Sequence, residues 1–130
     1  MTTDKVTISD AYDLLALHRA LMEARYCDVP NDPDVSGSPR LAEIHKKVIA
    51  AIYSANLPGG LSPDSWNDWL AIDDSRREWR VALARAANSP RWRNLDEEGK
   101  LSLASSLLSP FSINHEVLTK FVKSVDTKSS

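Results

Sequence analysis

Residues 8–27, ISDAYDLLALHRALMEARYC, are the stretch that decides the fold. Their apolar side chains recur every three or four positions, which is the spacing that places them on one face of an α-helix. Ser9 stands near the start of this pattern and is of a residue type that favours the N-cap of a helix. The stretch therefore predicts an amphipathic helix. Its apolar stripe consists of Ala11, Leu14, Leu15, Leu21 and Met22.

Two polar side chains fall inside that stripe. His18 and Arg25 are seven residues apart, so they share the apolar face. His45 lies at the edge of the stripe of the next predicted helix, and helices joined by a loop often pack as antiparallel neighbours. His18 and His45 are therefore expected to approach each other in the core. A buried arginine needs a partner because an unpaired charge is costly there; the carboxylates of Asp13 and Glu43, or a ligand anion, are the candidates.

Two interpretations of this cluster stay open. In the first, His18, Arg25 and His45 form a pocket for a small ligand, or His18 and His45 form a metal site with Cys27 as a further candidate ligand. In the second, they are two hydrogen-bonded core histidines beside an arginine whose head group reaches the surface. The sequence favours the second, because it contains no H-E-x-x-H, C-x-x-C or Glu-x-x-His motif that would support a metal.

Residues 31–43, NDPDVSGSPRLAE, partly match the ligand spacing of an EF-hand calcium loop. The candidate ligands are Asp32, Asp34, Ser36 and Glu43. However, prolines interrupt the entry to the loop, and Pro39 and Arg40 occupy positions where such loops carry a free N–H and a water-bridging oxygen ligand. The same residues are typical of a turn, followed by Ser38 as the N-cap of a helix and Pro39 as its first residue. The turn is therefore the favoured interpretation.

The rest of the chain repeats this Ser-Pro signal and the helical period. A second long helix is predicted to follow Ser38, and a short helix carrying two tryptophans is predicted after a break at residues 56–60. Whether residues 63–87 form one helix or two is left open. The later expectations are a single turn around Trp92, a helix capped by Asn94 that runs to about Leu108, and a last helix capped by Ser112.

Every strong period in the chain is helical, and no alternating run of β-branched residues predicts a strand. The sequence therefore predicts an all-α fold with one domain over residues 1–130. We expect a bundle of five or six helices in which the two long N-terminal helices form an antiparallel pair. Residues 1–7 and 126–130 are expected to fray.

The composition limits the compartment. Hydrophobic residues make up 42% and charged residues 26% of the 130, as in soluble folded domains. The one cysteine, Cys27, cannot form an internal disulfide, and no apolar stretch is long enough for a signal peptide or a membrane span. These features predict a cytoplasmic protein without a membrane partner.

The strongest functional signal is residues 75–93, SRREWRVALARAANSPRWR. This segment holds six arginines and one glutamate, a balance of +5, so the rest of a chain with net charge −2 carries −7. Arginine forks bind carboxylate and phosphate groups, and arginine and tryptophan are favoured at protein interfaces. The predicted partner-binding residues are Arg77, Arg80, Arg85, Arg91, Trp92 and Arg93.

No catalytic or cofactor-binding motif is present, which leans against an enzyme, although catalytic triads are assembled in space rather than in sequence. The sequence favours a non-enzymatic module that binds another protein, such as an adaptor, an immunity-type inhibitor or a regulatory subunit. The first alternative is a nucleic-acid-binding helical domain that uses the same arginines. The second is the small-molecule or metal site at the core histidines.

Overall fold

The regular secondary structure of the computed structural model is helical. The structure describes residues 5–27, 32–55 and 63–129. These residues contain no β-strand, so the predicted all-α class is confirmed. They form seven α-helices, against the expected five or six, and none of these helices is long and apolar enough to cross a membrane. The helices are α1 (Ala11–Tyr26), α2 (Pro33–Ser36), α3 (Pro39–Ser54), α4 (Pro63–Leu70), α5 (Arg77–Asn88), α6 (Glu97–Leu108) and α7 (His115–Ser129).

The N-caps show how local sequence starts each helix. Ser38 caps α3 as predicted, because its side chain accepts a hydrogen bond from the Leu41 amide and Pro39 opens the helix. The Ser9 prediction for α1 is wrong. Asp10 is the cap, and its carboxylate accepts from the amide of Tyr12 at 2.9 Å.

Two further predicted N-caps, Asn94 and Ser112, are also wrong. Asp96, not Asn94, caps α6 by accepting from the Gly99 amide at 2.8 Å. Asn114 accepts from the Val117 amide at 2.8 Å at the start of α7, where Ser112 was expected to act. In each case a stronger or equal capping residue stands one or two positions closer to the first helical turn.

Residues 63–87 form two helices, which answers the question left open by the sequence. The chain leaves helical geometry between α4 and α5, where Ala71 makes an isolated parallel bridge to Ser112. The Ser112 amide donates to the carbonyl of Leu70 at 2.8 Å, and buried Ile72 follows in the same connection. As predicted, a single turn, of 3-10 type, lies around Trp92, at Trp92–Asn94.

The core has two neighbouring parts. The first lies where α1 packs against α3, and contains Leu14, Leu21, Val48, Ile49, Ile52 and Leu70. The second joins α5, α6 and α7 around the large side chains of Trp79, Trp92, Leu108 and Phe121. Trp69 packs against both parts, so it links them. Packing against α6 and α7 holds α5, which carries three of the six predicted binding residues.

The ends differ from expectation at one point. Residues 126–129, expected to fray, belong to α7, which runs to Ser129. The predicted break at residues 56–60 and residues 1–4 lie outside the described part of the chain.

Candidate functional site

The structure brings His18, Arg25 and His45 together in the interior, as the helical spacing predicts. Nδ1 of His18 lies 3.0 Å from Nε2 of His45, and Nδ1 of His45 lies 3.0 Å from a terminal nitrogen of Arg25. His45 is fully buried, and Arg25 is only 3% exposed. The expectation that the arginine reaches the surface is therefore wrong.

Arg25 finds its other partners at the C-terminus of α6. Its guanidinium donates to the carbonyl of Ser109 at 2.6 Å and to that of Ser106 at 2.9 Å. The hydroxyl of the neighbouring Tyr26 lies 2.6 Å from the carbonyl of Leu107 and 2.7 Å from that of Ser109. A helix end leaves its last carbonyls without intrahelical partners and carries partial negative charge, which suits a cation. The buried charge is thus stabilised by a helix end rather than by the carboxylates of Asp13 or Glu43.

The environment keeps both histidines neutral. Burial lowers the pKa of His18 to about 4, and the nearby Arg19 charge acts in the same direction. Burial also lowers the pKa of His45 to about 3, with the charge of Arg25 as the next cause. His18 packs edge-on against Trp69, with ring centroids 4.9 Å apart.

The geometry of this cluster is that of a closed core. Its hydrogen bonds run between the helices, and two surface cavities of about 1040 and 1030 Å³ are lined by other residues. Within the same residues, no three His, Cys, Asp or Glu side chains are grouped so that they could hold a metal ion. The His18, Arg25 and His45 cluster joins α1, α3 and α6.

The calcium-loop candidates adopt the geometry of a turn. Asp32 accepts a hydrogen bond from the amide of Asp34 at 3.0 Å, which starts the short helix α2. Ser36 is buried, and Glu43 points outward to Lys46 at 3.3 Å. Asp32 therefore serves the local backbone, and Glu43 a surface ion pair. Residues 28–31, at the entry to the loop, lie outside the described part.

Most of the predicted partner-binding arginines line one groove of about 1040 Å³, which we call the arginine groove. Its walls are the outer face of α5, the turn that follows α5, part of α6 and the end of α2. No aspartate or glutamate is among the described residues that line it. The lining residues are Ser36, Gly37, Arg77, Arg80, Val81, Ala84, Arg85, Asn88, Ser89, Pro90, Arg91, Leu103 and Leu107.

Two of the four arginines also support the fold. Arg77 donates to the carbonyl of Tyr26 at 2.7 Å, and Arg85 donates to that of Cys27 at 2.6 Å, so both bind the C-terminal end of α1. Arg80 and Arg91 are exposed, and neither side chain makes a hydrogen bond or ion pair to the described residues. The fold therefore does not use these two guanidiniums for hydrogen bonds or ion pairs.

Trp92 and Arg93 do not line the groove. The prediction of Trp92 as an exposed contact residue is wrong, because its side chain is 1% exposed and packs in the α5–α7 core. Its indole N–H donates to the carboxylate of Asp126 at 2.8 Å. Arg93 is exposed on the 3-10 turn, outside the groove lining.

The groove also has an apolar floor that the sequence interpretation missed. Val81 and Ala84 of α5 and Leu103 and Leu107 of α6 are half-buried, and each pair is spaced by about one helical turn. Apolar residues on the arginine-bearing side of α5 were the available signal. That signal is weak in the sequence, because the opposite side of the helix, around Trp79, already accounts for a core face.

Comparison of the chain with models of known protein families, with curated proteins and with solved structures finds no match.

Proposed function

We propose that this protein is a non-enzymatic interaction module that binds an acidic segment of a partner protein in the arginine groove. The observation that carries the proposal is the unbalanced lining. Four arginines and an apolar floor share a concave surface, and the described lining contains no carboxylate to neutralise them. Such a surface is complementary to carboxylates that flank apolar side chains.

Two arginines of the groove, Arg80 and Arg91, support the proposal further. The side chains of Arg80 and Arg91 make no hydrogen bond or ion pair within the described residues that a substitution would remove. Arginine is enriched at protein interfaces because its planar fork gives directed, paired hydrogen bonds to carboxylates. Two such groups beside half-buried apolar side chains have the mixed character of an interaction surface rather than of a solvated helix face.

A protein partner is favoured over nucleic acid by two features. Trp92 is buried, and the described residues that line the groove include no aromatic side chain on which a base could stack. The whole chain carries a net charge of −2, whereas nucleic-acid-binding domains are usually basic overall. An adaptor, an inhibitor or a regulatory subunit is the corresponding kind of protein, and the single cysteine suits a cytoplasmic setting. The proposal includes a bundle whose long helices α1 and α3 run antiparallel.

The test is partner capture with matched charge variants. The tagged chain, the Arg80→Ala/Arg91→Ala double variant and a Lys47→Ala/Lys123→Ala double variant are expressed in the native cells and purified at low salt. Lys47 and Lys123 are exposed and lie outside the groove, so the control changes the net charge equally. Mass spectrometry then identifies the bound proteins, and cross-linking maps their contacts.

We expect a partner that is retained by the original chain and the lysine control, that is lost from the arginine variant, and whose cross-links lie at an acidic segment. Equal retention by all three chains contradicts the proposal, since the groove is then not the contact surface. A complex that nuclease digestion releases, with affinity that falls linearly against the logarithm of salt concentration, points instead to nucleic acid.

A further inference from the structure

We infer that the segment bound by the arginine groove is an amphipathic α-helix of about three turns, with acidic residues beside its apolar stripe. This inference rests on the proposed function and specifies the partner. It follows from the length of the groove, the composition of its walls and the spacing of its floor.

The walls of the groove are helices. Six lining residues of α5, from Arg77 to Asn88, fall on one helix face at spacings of three or four, and two of α6 are four apart. The main-chain N–H and C=O groups inside such helices already bond each other. An extended peptide pressed against this floor would leave its own main-chain groups without partners, which is costly in a desolvated contact. A helical peptide satisfies its main chain internally.

The dimensions agree with a helix. The α5 face from Arg77 to Asn88 is about 16 Å long, at about 1.5 Å per residue, which equals three helical turns. A helix of that length presents apolar side chains at positions i, i+3 or i+4, and i+7 on one face. These would meet the floor formed by Val81, Ala84, Leu103 and Leu107. The small Ala84 side chain leaves room for close approach.

The charges of the groove indicate which residues should flank the apolar stripe of the bound helix. Carboxylates on the flanks of its apolar stripe would reach Arg80 and Arg91, which are unused by the fold. A basic helix would instead meet a lining with four like charges and no described acid. Charge complementarity therefore favours an acidic amphipathic helix over a basic one.

The experiment uses synthetic peptides of about twelve residues with fluorescent labels, followed by anisotropy and circular dichroism. The probe carries leucine at helical spacing and glutamate on the flanking positions. Its matched control keeps every charge and leucine but has proline at two central positions, which prevents a helix. Protein variants are Arg80→Ala/Arg91→Ala, Ala84→Phe to fill the floor, and Lys47→Ala/Lys123→Ala as the charge control.

We expect the helical probe to bind at least about tenfold more tightly than the proline control, and to gain helicity when bound. Binding should fall about tenfold or more with Arg80→Ala/Arg91→Ala and with Ala84→Phe, but not with the lysine control. Equal binding of both peptides, weakened by loss of the arginines, overturns the helical inference and leaves the acidic-segment proposal standing.

Two other outcomes overturn more than the helical inference. Absence of binding by either peptide contradicts both the helix and the groove as a site for acidic segments. A wild-type chain that sediments as a dimer, and that Ala84→Phe converts to a monomer, assigns the groove to a second copy of this chain.

Discussion

The guanidinium of Arg25 donates a hydrogen bond to Nδ1 of His45 at 3.0 Å inside the protein. Arginine has only donors, so Nδ1 of His45 must accept and cannot carry a proton. A neutral His45 then has its proton on Nε2, which donates to Nδ1 of His18 at 3.0 Å. Arg25 therefore donates both to the carbonyls at the end of α6 and to His45, and His45 in turn donates to His18. This arrangement requires both histidines to be neutral.

The requirement for two neutral histidines predicts that the folded protein loses stability in acid. The unfolded histidines bind protons near pH 6.5, whereas burial holds the pKa of His18 at about 4 and that of His45 at about 3 in the folded protein. Between these values the unfolded state binds more protons, so the stability is fully present above about pH 6.5 and is lost as the pH falls. Each histidine should lower the free energy of unfolding by up to about 1.4 kcal/mol per pH unit in that window.

The His45→Gln variant tests how much His45 contributes to this loss of stability in acid. A glutamine amide offers an acceptor to Arg25 and a donor to His18 without titrating. Urea unfolding at about pH 7 and about pH 5 should show a smaller acid loss in the variant than in the original chain. Parallel losses in both proteins would mean that His45 is not among the groups that set the acid sensitivity.

Removal of the buried arginine should be strongly destabilising. Arg25→Met removes the donor to Nδ1 of His45 and one of the donors to the carbonyls of Ser106 and Ser109. We expect a loss of about 3 kcal/mol in the free energy of unfolding, because three buried or part-buried acceptors each lose a hydrogen bond from a charged group. Arg19→Met is the matched control, since Arg19 lies exposed on the same helix, and should change stability by about 0.5 kcal/mol or less. Similar losses in both variants, measured in urea, contradict the role given to Arg25.

Two arginines only four residues apart should differ sharply. Arg76 packs its guanidinium 4.8 Å from the ring centre of Trp69 and 4.4 Å from that of Phe111, and its Nε donates to Glu78 at 2.9 Å. Arg76→Ala should therefore cost about 2 kcal/mol of unfolding free energy. Arg80→Ala should cost about 0.5 kcal/mol or less, and the reverse order in chemical denaturation would refute this division of roles.

Trp92 should affect stability but leave groove binding unchanged. Trp92→Phe keeps an aromatic ring in the core but removes the indole N–H that donates to Asp126. The pKa of the Asp126 carboxyl, lowered by hydrogen bonds from Lys100 and Trp92, should rise in the variant. We expect a loss of about 1 kcal/mol in unfolding free energy with undiminished affinity for the acidic helical probe. A stable variant that no longer binds the probe would place Trp92 at the contact surface after all.

Local sequence was sufficient for the helices, because their signals lie within a few residues of each other. The period of three to four in ISDAYDLLALHRALMEARYC and the Ser38–Pro39 start of α3 concern contacts along one helix. The grouping of Arg77, Arg80 and Arg85 was predictable for the same reason, since residues at helical spacing share a face whatever the helix packs against. Errors of one or two residues arose at the caps of α1, α6 and α7, where neighbouring polar residues compete for the same amides.

The sequence by itself therefore determined an all-α chain and the arginine-bearing side of α5. Only the tertiary structure decided which polar groups are buried, and with what. Arg25 is stabilised by carbonyls 81 and 84 residues away, and Trp92 donates to a carboxylate 34 residues away. No local pattern encodes such partners. Every residue has a main-chain carbonyl, so residue type does not show which carbonyls, such as those at the end of α6, are left free to accept a hydrogen bond. The floor of the groove likewise needed α6 beside α5, since apolar side chains four residues apart form a binding surface only when a second helix supplies the facing wall.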